Sequence, residues 1–245
     1  MARAPIALFE QFCLPSVMAQ SAQGFRWIIL FDAAMPERFR ARIDAFANWR
    51  NILPVFIESP RNDIARYACD TITSLLAPQI RFVATTRLDN DDAIRADFVE
   101  TVQRNLRPRR EALNFPFGYV WHDGHIFLDE DRSNPFITLV EPIDAFGTVW
   151  QAKHRDIARV APVRQLGRRP AWLQVVHGRN VSNRVRGVRV PAKTFDFEAF
   201  HVTLHEPLPD ASLCALCFDH LRKPVWYFRF LRNRIGDCIR WQLGR

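Results

Sequence analysis

Three aspartates fall within four residues in the stretch Arg87-Leu88-Asp89-Asn90-Asp91-Asp92-Ala93. The run before them, Ile80-Arg81-Phe82-Val83-Ala84-Thr85, is apolar and β-branched, and a helical pattern follows. Carboxylates at the C-terminal end of a strand stand where open α/β sheets bind their ligands. A hard divalent cation takes carboxylate oxygens together with waters and substrate phosphates. The D-x-D-D pattern at this junction therefore reads as a metal and sugar-nucleotide site, one aspartate for the cation and another for sugar hydroxyls or ribose. The competing reading is a polar turn in which Asp92 caps the next helix. An EF-hand loop counted from Asp89 fails, because Ile94 takes the glycine position and Ala93 a ligand position.

Two further stretches carry chemistry. Trp172-Leu173-Gln174-Val175-Val176 reads as a strand that hands His177 to the turn Gly178-Arg179-Asn180. Gly178 would let the backbone approach a phosphate closely, and Arg179 could neutralise that phosphate through two parallel hydrogen bonds. The plainer alternative is a histidine hydrogen-bonded at a strand end. Phe136 to Glu141 is another strand, stopped by Pro142, with Glu141 at its end. No phosphate-cradling G-x-x-x-x-G-K-[ST] loop occurs, and no Ser-His-Asp arrangement is legible.

The elements around these residues follow an α/β rhythm. The stretch from Pro5 to Leu14 leads into Pro15 to Gln20, which reads as a helix; Phe25 to Asp32 reads as an apolar strand covered on both faces, and Pro36 to Trp49 as a helix. Asn51 to Glu58 is a strand near an edge, since Pro54 cannot donate to a ladder. Ile64 to Leu76 is helical, and so is Ala93 to Leu106. Strands alternating with helices of this length predict an α/β fold. Phe117 to Leu128 then reads as a hairpin turning at Asp123-Gly124. Thr148 to Val160 reads as a short helix carrying His154. Parallel strands first and antiparallel strands later predict a mixed central sheet flanked by helices, in a single unit spanning residues 1–245.

The count of 34 Lys and Arg against 26 Asp and Glu gives a formal charge of +8. A dispersed basic excess suits a phosphate-bearing ligand, an anionic membrane face or nucleic acid. Nucleic acid is not expected here, because an acidic cluster at the mouth of the site repels a polyanion. Five cysteines, an odd number, and the lack of a secretory signal point to a reducing, cytoplasmic setting. Cys214 and Cys217 have metal spacing but no completing set, and their apolar neighbours predict buried packing residues. No apolar run reaches the ~18–20 residues that span a bilayer. Residues 224–245 mix aromatic and aliphatic side chains with five arginines. They form either a last helix packed on the domain or a basic segment resting on the inner face of an anionic membrane.

Several of these stretches together resemble one bacterial family. They are Leu14-Pro15-Ser16 with Gln20, Phe25 to Asp32, Thr86 to Ala93, Asn134-Pro135-Phe136, and Trp172 to Asn180. The pattern is similar to that of the bacterial putative rhamnosyltransferases, which resemble GT-A glycosyltransferases, and runs from about residue 6 to about residue 190. The resemblance implies a GT-A-like, Rossmann-like fold and sugar transfer from a nucleotide-sugar donor to a glycan or lipid-linked acceptor. It implies that Asp91 and His177 hold Mn²⁺ or Mg²⁺. Arg87, Asp89, Asp92 and Arg179 would then bind the donor. An inverting transferase also needs a carboxylate base for the acceptor hydroxyl; Glu141 and Asp144 are the candidates, Glu141 preferred. Only Met1 to Leu8 precede the first helix, so the opening strand of a GT-A fold is expected to be missing or to be encoded upstream. Two rivals remain: a non-catalytic module binding anionic glycan or nucleic acid, and a degenerate transferase acting as an accessory subunit.

Overall fold

The computed structural model describes residues 5–58, 64–177, 185–202 and 212–242. The chain opens with α1 (Pro5–Leu8), a π-helical turn (Phe9–Cys13) and α2 (Leu14–Met18), with Pro15 in the first turn of α2. Next, β1 (Trp27–Asp32) and β2 (Ile52–Ile57) pair in parallel, with α3 (Arg40–Ala47) between them in sequence. Ile43 and Phe46 of α3 pack on Phe9, Cys13 and Ile52. Among the described residues β2 pairs with β1 alone, and Pro54 deprives that ladder of no donor.

After α4 (Ile64–Leu75) come β3 (Phe82–Thr86), the short β4 (Ala93–Ile94) and α5 (Phe98–Arg104). The strands β5 (Glu111–Asn114), β6 (Phe117–His122), β7 (His125–Glu130), β8 (Thr138–Pro142), β9 (Val163–Gln165), β10 (Trp172–Val176) and β11 (Val188–Val190) complete two larger sheets. One is five-stranded in the order β11-β7-β6-β10-β4, and the other is four-stranded in the order β3-β8-β5-β9. Both are mixed: β10 runs parallel to β6 and β9 parallel to β5, the remaining neighbours antiparallel. The fold is thus mixed α/β, and its strands divide among three sheets where the sequence suggested one central sheet.

β10 shows why its sequence is apolar at every position but Gln174. Trp172 and Val176 enter the cluster with Phe98, Phe115 and Phe136 on one face. Leu173 and Val175 join Tyr119, Phe195 and Phe200 on the other. A strand buried on both faces loses the usual alternation. Gly118 makes the close packing possible, since a Cβ there would lie 1.9 Å from the Trp172 ring. Trp172 also stacks on Phe136 at 5.1 Å and donates its indole N–H to the Phe115 carbonyl.

Local chemistry decides the β6–β7 turn, where Asp123 (φ 45°) and Gly124 (φ 76°) both take the left-handed conformation of a two-residue hairpin. Long-range contacts revise four other expectations. Ala93 and Ile94 are drawn into a strand against Leu173 and Trp172, so the helix predicted from Ala93 starts only at Phe98. The predicted helix over Thr148–Val160 is two 3₁₀ segments, Val149–Gln151 and His154–Arg159. Cys214 and Cys217 are exposed, not buried, because the helix that carries them, α7 (Leu213–Leu221), turns them outward. Residues 224–242 form the helix α8 (Pro224–Gln242), which rests on the five-stranded sheet. Trp226 of α8 donates to Asp129 and Asn233 to Glu130. The short helix α6 (Phe197–Phe200) closes the second apolar cluster.

Candidate functional site

The acidic stretch leaves β3 and folds into a turn, the Asp92 N–H donating to the Asp89 carbonyl at 3.2 Å. β4 then pairs antiparallel with β10, Ala93 opposite Leu173 and Ile94 opposite Trp172. Continuing that register past the start of β4 brings Asp92 alongside Gln174 and Asp91 alongside Val175, within reach of the Val175 N–H and of His177. Two aspartates adjacent in sequence then meet different surroundings.

Asp92 is fully buried, and its Oδ1 accepts the Val175 N–H at 2.8 Å. Burial first, and then the charges of Asp91 and Asp89, push its carboxyl well above the usual carboxylate range. The Val175 N–H and Arg87 pull the other way without prevailing. Asp92 therefore pins the turn to β10. Its Oδ2 is buried without a hydrogen-bond partner among the described residues. It does not cap α5, whose preceding residue is Asp97, and its burial keeps it from direct donor contact.

Asp91 is less deeply buried than Asp92. Its Oδ2 lies 2.9 Å from His177 Nε2, and both side chains are partly exposed. That separation is a hydrogen-bond distance, and it brings together an imidazole and a carboxylate, two groups of the kinds that ligate divalent ions. Among the described residues no three His, Cys, Asp or Glu side chains gather closely enough to hold a metal. The pair thus fits the case in which one or two protein ligands share the ion with substrate phosphates and water.

Asp89 has a different partner. Arg87 grips it with three N–H···O contacts of 3.0 to 3.1 Å, and the same guanidinium lies over the Trp150 ring at 4.4 Å. The Arg87–Asp89 pair and Trp150 thus form one partly exposed group at the start of the turn. Cys13 packs beneath the cluster; burial first, then Asp92, Asp91 and Asp89, push its thiol well up, so it is neutral packing and no ligand. Arg179 lies outside the described residues.

Glu141 is not brought to Asp91 and His177. It is wholly buried on β8 and accepts from Arg110 (3.0 Å), Gln151 Nε2 (2.8 Å) and the Gly147 N–H (3.3 Å). A carboxylate so enclosed is not offered to an acceptor hydroxyl; its geometry ties β8 to the loop that follows. His154 is likewise occupied with the Ser133 carbonyl.

The N-terminal helix supplies positioning residues to which the sequence alone assigned no task. Ser16 Oγ accepts the Ile94 N–H at 3.3 Å and donates to the Cys13 carbonyl at 2.8 Å. Gln20 donates to the Arg95 carbonyl at 2.8 Å and accepts the Val99 N–H at 2.9 Å. Together they clamp the segment leaving the acidic turn, and both are buried. Asn134 is equally internal, donating to the Phe115 carbonyl at 2.7 Å and accepting the Phe136 N–H at 3.0 Å. The clusters Leu14-Pro15-Ser16, Asn134-Pro135-Phe136 and Trp172-Leu173-Gln174 therefore frame the acidic turn from three sides of the sequence.

The sequence pattern of one protein family, described as putative rhamnosyl transferase, matches residues 3–189. The chain belongs to that family. The matched span contains the acidic turn, His177 and the clamp from α2, and it ends before α7 and α8. No curated protein and no solved structure matches the chain. Membership in the rhamnosyl transferase family points to a glycosyltransferase, with a sugar donor and an acceptor as its partners. Among the described residues no helix is long and apolar enough to cross a membrane.

Proposed function

We propose that this member of the rhamnosyl transferase family moves a sugar, rhamnose by the family description, from a nucleotide-sugar donor to a glycan or lipid-linked acceptor. We place the donor diphosphate at Asp91 and His177, within a GT-A-like architecture. The observation that carries this reading is the 2.9 Å approach of Asp91 Oδ2 to His177 Nε2, both partly exposed. Asp91 and His177 would hold Mn²⁺ or Mg²⁺, an imidazole favouring Mn²⁺. When bound, the cation would supply Lewis-acid stabilisation of the charge on the departing nucleoside diphosphate.

The chain's own residues do the rest. Buried Asp92 holds the turn in register through the Val175 N–H, and burial pushes its carboxyl towards the neutral form. Arg87 neutralises Asp89, which lowers the repulsion of an anionic donor and leaves Asp91 as the carboxylate directed at the cation. The plane of Trp150, already covered on one side by Arg87, gives that guanidinium a fixed position. Rigid placement of this kind is what lets a charged group act on a developing charge without reorganising. Glu141 has no part in the proposal.

The test is release of nucleoside diphosphate by the full chain from a panel of nucleotide sugars, rhamnosyl donors included, with Mn²⁺ or Mg²⁺. One donor class should turn over, and Asp91→Ala should lower its turnover at least ~100-fold, the size of loss seen when a key electrostatic contact is removed. Turnover indifferent to Asp91→Ala and to a chelator would remove the metal role.

A further inference from the structure

We infer that α7 and α8 form a docking surface for an anionic lipid membrane. α8 is apolar on two faces. On its inner face Trp226 donates to Asp129, Phe230 meets the Phe117 ring edge-on, and Asn233 donates to Glu130. On the outer face Val225, Phe228, Leu231 and Ile235 point to solvent. At ~100° per residue these four cover an arc of about 120°, continuous along the helix and opposed to the docked side. α7 repeats the arrangement: it buries none of its residues and presents Leu213, Phe218 and Leu221 outward. The seven exposed apolar side chains range from 55% to 80% accessible. Scattered apolar residues on a surface need no explanation, but a contiguous patch on two consecutive helices does.

The charge around the patch selects the occupant. Residues 212–242 carry six Lys and Arg against two Asp. Arg222 and Arg232, both exposed, stand at the borders of and within the apolar stripe. Arginine stems can lie along an apolar layer while their guanidinium groups reach phosphates at the headgroup level. A second copy of the chain fits less well, since a two-fold contact would set the same arginines against each other. Neither helix is apolar and long enough to cross the bilayer, so the surface lies on the membrane. The patch also lies wholly beyond the segment that matches the family, residues 3–189. It is thus an addition to the transferase portion, one that would hold the enzyme at a lipid face.

The experiment is co-sedimentation of the full chain with vesicles of 30% phosphatidylglycerol in phosphatidylcholine, beside vesicles of phosphatidylcholine alone. Wild type is expected to bind the anionic vesicles and to lose most binding on the neutral ones. The double variant Phe228→Ser, Leu231→Ser leaves the net charge unchanged and should bind at least tenfold more weakly. Arg222→Gln with Arg232→Gln should weaken binding and flatten its salt dependence. These side chains are exposed, so an unchanged thermal midpoint by circular dichroism should accompany each variant. Asp91→Ala should bind vesicles as wild type does, whatever its turnover, which separates this inference from the donor-site reading. Equal binding of wild type and the serine variant to anionic vesicles would overturn it. So would a dimer in solution that dissociates on the serine substitutions, because the patch would then be a self-association face.

Discussion

Two sets of acidic residues occupy neighbouring sheets and differ in what neutralises them. On the four-stranded sheet, Glu111 is buried and met by Arg164 at 2.7 Å and Arg109 at 3.1 Å. Glu141, on the adjacent strand, is met by Arg110 and two further donors. At the edge of the five-stranded sheet, Asp91 meets a histidine and Asp92 a single backbone N–H. A carboxylate surrounded by guanidinium groups and amides has spent its hydrogen-bonding capacity on the fold. One paired with an imidazole has a partner that is itself a common metal ligand. Position at a strand end, the signal that singled out both Glu141 and the aspartates, does not distinguish these cases.

The comparison can be broken by exchanging the consequences of mutation. His177→Ala should cut nucleotide-sugar turnover by about 10- to 100-fold or more, as losses around a metal site do, while its urea midpoint stays near wild type. Glu141→Ala should do the reverse, costing about 2–4 kcal/mol of stability by denaturant titration, because Arg110, Gln151 and Gly147 lose their shared acceptor. Turnover per folded molecule should survive in Glu141→Ala; an abolished turnover in a stable variant would return Glu141 to the reaction.

Asp92 sharpens the contrast from within the acidic turn. Asp92→Asn keeps an oxygen for the Val175 N–H and mimics the protonated carboxyl, so its stability should lie within about 1 kcal/mol of wild type. Asp92→Ala leaves that N–H unpaired and should cost about 1–3 kcal/mol. Equal stability of the two variants would show that the pin to β10 is unimportant.

The smallest effect concerns pH. Burial alone would raise the Glu111 carboxyl, but hydrogen bonds and charge from Arg164 and Arg109 prevail and hold it below the ordinary glutamate value of 4.5. A depressed native value means that Glu111 contributes stability fully above 4.5 and loses it as pH falls towards the native value. Denaturant titrations from pH 6 to pH 3 should therefore show a shallower acid loss in Glu111→Gln than in wild type.

Much of this arrangement was legible in the residues. The Asp123-Gly124 turn needs two left-handed residues, and few other dipeptides tolerate that, so the hairpin is a local consequence. The approach of Asp91 to His177 followed from the acidic turn after β3 and the histidine after β10 lying at strand ends, a placement the family pattern reinforced. The tasks of Ser16 and Gln20 were not legible, since their partners lie more than 70 residues away. Nor was the burial of Glu141, which depends on Arg110 and Gln151 arriving from separate loops.

The sequence by itself determined the elements whose causes are local: strand and helix periodicity, the hairpin turn, and the chemical capacity of three clustered aspartates. The tertiary structure decided how that capacity is divided. Pairing of Ala93 and Ile94 with β10 turned Asp92 inward and left Asp91, less deeply buried, beside His177. Burial and hydrogen bonding fix a carboxylate's charge and reach, and both depend on segments far away in the chain.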